Sequence, residues 1–373
     1  MSSSLPATHS MRFTSMNKPT LSRRDVLALA AGSAVSVSLD RLASAAPTPE
    51  RSTIRGVKIG AQTYSFHDIP NDGGNHADRV IADMLACGLY SCELWPGHIE
   101  ASTYVGIRPP AADCPKPDIG CAPGKGGSER NGFAWVFGQR QGEDLIKTRK
   151  AIRAFLESKP TKYFEAIRRR FDAAGIEIYT YNPFMDPGAI TPDMPTTDAE
   201  IDGIFYSAKA LGVKAINASI TRTVLRRLVP FAEKHQMIIA PHGHSETSDP
   251  EHFSTRKTFT DAFALSKWVW ANLDIGHYTA AGEDAVEFID SFHDRITNLH
   301  LKDRKRNTSK TIEDGANVPW GRGDTPIAQV LRQLRDKHYK IPCMIEIEHI
   351  GTNSAVEEVK IAYEYCKREL TKA

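Results

Sequence analysis

Charge of one sign is what this chain has least of. Across 373 residues, 47 Lys and Arg stand against 45 Asp and Glu, a formal net charge of +2. Nucleic acids and anionic membrane surfaces select for a positive excess, and a balance this even gives no basis for either partner. Cysteine is sparse as well: the six residues suit an oxidising compartment but do not make a disulfide scaffold. Cys114 and Cys121, in CPKPDIGC, lie in a Pro/Gly-rich loop where they either pair or stay free. Cys87, Cys92, Cys343 and Cys366 stand in apolar contexts and are expected as small buried hydrophobes. No glycine-rich phosphate loop follows the first strand-like run, where GAQTYSFHD stands instead. That counts against an open dinucleotide-binding sheet.

Near the N-terminus, LALAAGSAVSVSL is too short and too weakly apolar for a good membrane span. Preceded by Ser22-Arg23-Arg24 and followed by small residues around Ala43-Ser44-Ala45, it reads as a twin-arginine export signal over residues 1–46, with a linker at 47–54. Cleavage near Ala45 or Ala46 removes Arg12, Lys18, Arg23, Arg24, Arg41, Asp25 and Asp40, so the mature charge is about −1. The expected location is the periplasm or another exported site reached through the twin-arginine route, with the chain already folded as it crosses and no stable membrane anchor left after cleavage.

From residue 55 onward short apolar runs alternate with longer segments of helical period. The strands read as 57–66, 89–95, 176–182, 213–220, 237–244, 268–277, 296–303 and 343–349. Near-continuous apolar runs of this length suit strands buried on both faces of a parallel sheet. Phe164, Ile167 and Phe171 share one helical face, and Gly175 ends that helix. Val356, Val359, Ala362, Tyr363 and Cys366 do the same in the last helix. Eight strand–helix units predict a (β/α)8 TIM barrel over 55–373, with a doubly wound sheet as the alternative. A long Gly/Pro-rich insertion at about 98–160, carrying Trp135 and Phe137, falls on the catalytic face of such a barrel. It reads as a lid, as part of the substrate pocket, or as a disordered surface loop.

Barrel chemistry gathers at the C-terminal ends of strands, so the residues there decide the matter. The fifth strand ends in His242 and His244, the sixth in Asp274 and His277. The seventh ends in His300, Lys302 and Asp303, the eighth in Glu346, Glu348 and His349. Four consecutive strands thus deliver His242, Asp274, His300 and Glu346 to one rim. This mixed nitrogen and oxygen set suits one divalent Mn, Zn, Co or Fe ion. Strand alternation turns Glu346 and Glu348 the same way, so either is a candidate fourth ligand.

LDIGH, NLHLKD, PWGRGDTPIAQVLRQL and MIEIEH together resemble the second half of the sugar isomerase/epimerase superfamily with the xylose-isomerase-like barrel. Tagatose/psicose-type epimerases, inosose dehydratases and endonuclease IV belong to that superfamily. CELWPG, with Gln62 and Tyr64, extends the resemblance over most of 55–370 apart from the insertion. The resemblance implies metal ligands at Asp274, His300 and Glu346. It fails at the first ligand, because His242 stands where the epimerases carry a Glu that also moves a proton. His-x-His at this place is similar to the inosose dehydratase branch, whose reaction is an elimination beside a ketone.

The chemistry expected is proton abstraction next to a carbonyl, with the metal polarising the carbonyl. Candidate catalytic groups are Glu348, Glu93, His244 and Lys302, with a salt bridge to Asp303 or another rim carboxylate as the alternative for Lys302. Gln62, Tyr64, His277, Trp320 and Arg322 are the candidate substrate contacts. Trp320 is chosen over Trp95 and Trp135 because it lies in the PWGRGD loop, where Arg322 and the glycines also offer an anion site. The expected function is a metal-dependent sugar isomerase or epimerase on an unphosphorylated carbohydrate. The alternatives are a lyase or dehydratase on a keto-sugar, keto-glycoside or inosose, and a non-catalytic sugar-binding protein. A small carbohydrate is the expected partner, nucleic acid is not, and homo-oligomerisation stays open.

Overall fold

A computed structural model describes residues 51–69, 74–100, 142–189, 191, 193–308, 315–349 and 353–372. The signal at 1–46, the Cys114–Cys121 pair, and Trp135 and Phe137 fall outside these residues.

Eight parallel strands make the core: β1 (Val57–Gln62), β2 (Ser91–Leu94), β3 (Glu177–Tyr181), β4 (Ala215–Ala218), β5 (Ile238–Pro241), β6 (Ala271–Asp274), β7 (Ile296–Leu301) and β8 (Cys343–Ile345). They run in the order β5-β4-β3-β2-β1-β8-β7-β6. Two isolated parallel bridges, Ile239 to Val269 and His242 to Asn272, join the ends of that path and nearly close the barrel. Every residue of β2, β4, β6, β7 and β8 is buried, as expected for strands covered on both faces. The free Cys92 and Cys343 are buried in β2 and β8, and the free Cys87 and Cys366 are buried in helices that pack on the strands. Thr53–Ile54, assigned to a linker from sequence, instead pairs antiparallel with the start of β1.

Helices wrap the strands through apolar faces that the sequence spacing marks. In α3 (Thr161–Ala173), Phe164, Ile167 and Phe171 are all buried, and Gly175 follows with φ of 71°. α10 (Ala355–Thr371) starts at a Ser354–Glu357 capping box and buries Val359, Ala362, Tyr363 and Cys366. α1 (Ala77–Cys87) follows β1, α2 (Gly142–Glu157) precedes α3, and α4 (Asp198–Leu211) follows β3. The described end of the long span between β2 and β3 is therefore helical, α2 lying inside the 98–160 boundary expected for an insertion. α4 approaches α2 so closely that a Cβ on Gly203 would lie 1.9 Å from the Leu156 carbonyl oxygen.

After β4 come α5 (Arg222–His235), then α6 (Arg256–Phe263), α7 (Ile275–Ala280), α8 (Ala285–Phe292) and α9 (Ile327–Lys337). The sequence reading of one strand over 268–277 is corrected here. The strand stops at Asp274, whose carboxylate caps α7 by accepting the His277 backbone N–H at 2.8 Å. His277 therefore projects from a helix.

Candidate metal centre

Parallel register builds the site. Asp274 pairs with His300 across β6 and β7, and His300 pairs with Met344 of β8, so Glu346 emerges just above. His242 follows β5 and is bridged to Asn272, whose Oδ1 lies 2.7 Å from the imidazole Nδ1. One ligand atom from each of His242, Asp274, His300 and Glu346 lies within 4.8 Å of every other, and all four residues are buried. His300 Nδ1 stands 2.8 Å from Glu346 Oε2 and 3.9 Å from Asp274 Oδ2, which is 3.9 Å from His242 Nε2. These are the four residues that the strand-end reading selected, and they are positioned to chelate a single divalent ion.

Two observations fit such an ion to these residues. Asp274 Oδ2 is buried and makes no hydrogen bond of good geometry; the Lys302 ammonium at 3.0 Å faces it, and its remaining lone pair is open to a cation in the ring. With His300 neutral, as a metal ligand must be, the carboxylates of Glu93, Asp274, Glu346 and Glu348 outnumber the Lys302 and Arg304 cations by two. A divalent ion balances that surplus.

The layer beneath the ring is polar and organised around Glu93 of β2. Its Oε1 accepts from Asn182 Nδ2 at 2.8 Å, and its Oε2 from Asn217 Nδ2 at 2.5 Å, Asn298 Nδ2 at 2.9 Å and Thr180 Oγ1 at 3.1 Å. His300 Nε2 lies 3.0 Å from Oε1. Without an ion, burial opposes the His300 charge, yet Glu93 and Glu346 raise its pKa well above the usual value. Burial would raise the Glu93 pKa, but that charged His300, with Asn298 and Asn182, holds it down at about 2. Glu93 was expected as a candidate base. It is instead fully buried and not among the cavity-lining residues, its oxygens engaged by the asparagines and Thr180, which places it to orient His300 from behind.

Lys302, expected to face substrate or to pair with Asp303 or another rim carboxylate, is buried among the rim carboxylates Asp274, Glu346 and Glu348. Its Nζ lies 3.0 Å from Asp274 Oδ2, 2.9 Å from Glu346 Oε2 and 2.6 Å from Glu348 Oε2. Burial opposes its charge, yet these three carboxylates raise its pKa well above the ordinary value. His277 sits 3.1 Å from the same ammonium and meets the buried Arg304 at Nδ1. Burial first, then Lys302 and Arg304, lowers the His277 pKa well below the usual imidazole value. Burial and the neighbouring His242 and His252 do the same for His244.

A cavity of about 620 Å³ opens onto this ring. Gln62, Tyr64, His244, His277 and Glu348 line it as the sequence suggested. Trp320 and Arg322 do not. Trp320 packs edge-on against Tyr365 of α10 at 5.6 Å, and Arg322 is exposed. The amides of their loop are spent on the chain's own anion: Gly321 N and Gly323 N donate to Asp303 Oδ2 at 2.8 and 2.9 Å. The expected anion site is therefore filled from within. Trp95 lines the cavity instead, edge-on to Tyr64 at 5.2 Å and His98 at 5.0 Å, its ring lying over Gly97 where a Cβ would be 2.1 Å away. Asn182 and Phe184 of YNPF, together with Ile220, Glu246 and His252, also line it and were not singled out from sequence. Their signal was present, since each follows a strand on the same rim.

The family model described as "Xylose isomerase-like TIM barrel" matches residues 142–368. Inosose dehydratases from two strains of Clostridium perfringens are 27% identical over 137 residues, which is 33% of this chain and 45% of theirs. The chain thus matches less than half the length of these curated relatives. Among solved structures, the 3-keto-D-glucoside 4-epimerase of E. coli superposes with a TM-score of 0.51 at 11% identity, covering 84% of this chain and 99% of that one. The probable 3-DHS dehydratase of Bacillus anthracis gives 0.50 at 13%, covering 83% and 98%. These likenesses carry the fold. With the family match spanning more than half of its residues, the chain belongs to the xylose isomerase-like TIM-barrel family.

Proposed function

We propose that this protein is a metal-dependent lyase that eliminates water or an alcohol from an uncharged keto-sugar, keto-glycoside or keto-inositol. The observation carrying the proposal is the asymmetry of acid/base groups around the ring. Inverting a carbon centre calls for proton-transfer groups on both faces of the substrate. Here His242 occupies the place of one such carboxylate, its Nδ1 tied to Asn272. Glu93 lies behind His300 with its acceptors filled. Of the cavity-lining carboxylates outside the ligand set, Glu348, Glu246 and Asp249, Glu348 is the one that shares the Lys302 ammonium with the ligands Asp274 and Glu346. One carboxylate suffices for an elimination on a single face. The similarity to inosose dehydratases points the same way.

A bound divalent ion would polarise the substrate ketone and stabilise negative charge developing on its oxygen. Glu348, oriented by Lys302 at 2.6 Å, removes the proton on the carbon next to that ketone. The C–H electron pair becomes a C=C bond as the β C–O bond breaks. The proton then passes from Glu348 to the departing oxygen, so atoms and charge balance. His244, kept neutral, offers an N–H donor to a substrate hydroxyl, while His277 is held by Lys302 and Arg304 at its two ring nitrogens. Tyr64 and Trp95 give the ring's apolar face a surface to lie on.

Glu246 and Asp249 also line the cavity, which suits a neutral substrate better than a phosphorylated one. The test is incubation with inosose and 3-keto-glucosides, following the ultraviolet absorbance of the conjugated enone and identifying products. Elimination that disappears in Asp274→Ala and His300→Ala is the expected result. Isomerised or epimerised products alone would refute it. We further propose export by the twin-arginine route. Arg23→Lys with Arg24→Lys should leave the precursor in the cytoplasm on fractionation, and unchanged export would remove that part.

A further inference from the structure

Lys302 holds the same oxygens that the metal ring offers. Its Nζ is 3.0 Å from Asp274 Oδ2 and 2.9 Å from Glu346 Oε2. Glu346 Oε2 also faces His300 Nδ1 at 2.8 Å, and Asp274 Oδ2 faces His242 and His300 at 3.9 Å each. A third carboxylate, Glu348, which is outside the four-ligand ring, takes the same ammonium at 2.6 Å. Lys302 has no room to swing away. It is 2% exposed, and its stem runs so close to Gly276 that a Cβ there would be 2.4 Å from Lys302 Cγ.

We propose that Lys302 sets the affinity of the metal centre, holding it down by fixing a positive charge against two of the four ligands. The inference rests on the metal reading of the ring. A hydrogen-bonded ammonium draws electron density from the carboxylate oxygens that donate to the ion, and it repels the ion directly in a medium that screens weakly. Glu348 offsets this. Neutralising the ammonium from outside the ligand set, it limits how far Lys302 weakens binding. The two residues therefore act on the ion with opposite signs, and as a pair they nearly cancel. A merely structural ion pair would give the same sign for both single variants, because either one breaks it.

The test is cobalt(II) affinity of the full-length folded protein, by competition with a chromophoric chelator, with the cobalt absorption band reporting coordination. Lys302→Met is expected to bind at least tenfold more tightly and release the ion more slowly. Glu348→Gln is expected to bind about tenfold more weakly, and the double variant within about threefold of wild type. Lys302→Met affinity equal to or below wild type would overturn the proposal, as would Glu348→Gln binding unchanged or tighter. Should Lys302→Met fail to fold, as three carboxylates left facing one another would favour, the sign of Glu348→Gln and the value for the double variant still decide. Wild-type protein that takes up no cobalt overturns the metal reading and this inference together. One equivalent in wild type with no gain in Lys302→Met overturns this inference alone.

Discussion

Glu93 shows how much of a metal centre lies behind its ligands. A carboxylate that accepts from three amides, a hydroxyl and an imidazole has no lone pair left to work as a base. It fixes which ring nitrogen of His300 faces Asp274 and Glu346. Replacing such an outer partner commonly costs 10- to 100-fold in metal affinity. Glu93→Gln should fall in that range by chelator competition, since its amide keeps some of the bonds but presents an N–H where an acceptor is required. Affinity within twofold of wild type would show that His300 needs no support from below.

A second residue, His98, carries a pH dependence away from the ring. Burial first, then the nearby His76 and His67, lowers its pKa from 6.5 to about 3, and its Nδ1 has no hydrogen-bond partner. Between those values the unfolded chain binds the extra proton. Stability is therefore full above about pH 6.5 and falls as pH drops through the window. Going from pH 7 to pH 5 should cost about 2 kcal/mol through this group. Urea midpoints at the two pH values should differ less in His98→Gln than in wild type, and an equal difference would mean other groups set the acid limb.

The ligand set was legible residue by residue because strand ends on one rim are a topological fact, readable once eight strands are recognised. Trp95 against Trp320, and the work of Glu93, were not. Where a side chain points depends on contacts from distant strands, as when Asn298 and Asn217 converge on Glu93 from β7 and β4. A signal for that polar layer does exist. Asn272 and Asn298 precede Asp274 and His300 by two residues, so alternation turns each toward the same interior.

At the scale of elements, α7 departs most from the sequence reading. LDIGH continues an apolar run, and nothing in its period separates a strand from a short helix. The break is made by Asp274, which caps the helix with one oxygen while the other faces the ring. Gly276 then lets Lys302 and Arg304 pass beneath the first turn. Gly276→Ala should force the Lys302 stem aside, at a cost of about 1–3 kcal/mol, and should change metal affinity as well as the unfolding midpoint. A stability loss with metal affinity untouched would detach α7 from the site. Gly203→Ala makes a useful contrast. Its Cβ would strike the Leu156 carbonyl where α4 crosses α2, far along the chain from any ligand. A comparable loss of stability is expected there, with affinity for the ion unchanged.

For the barrel as a whole, the ion should act as a fastener. The sheet is continuous from β6 through β7, β8 and β1 round to β5, and only isolated bridges join β5 to β6. The ring spans that weakest seam, taking His242 from beyond β5 and Asp274, His300 and Glu346 from β6, β7 and beyond β8. An ion held there ties the two ends of the sheet together, and only the folded chain brings the four ligands within reach. By mass action, free ion at 100 times its Kd should add about 2.7 kcal/mol to folding, raising the Tm by several degrees. Stripping the protein with a chelator should lower the Tm by that amount, and readdition should restore it. Amide exchange in β5 and β6 should quicken more than in β1 and β2 when the ion is removed. Asp274→Asn should start from the lower Tm and respond little to either treatment. If stripping slows or quickens exchange uniformly around the barrel, the ion stabilises the fold without fastening its seam.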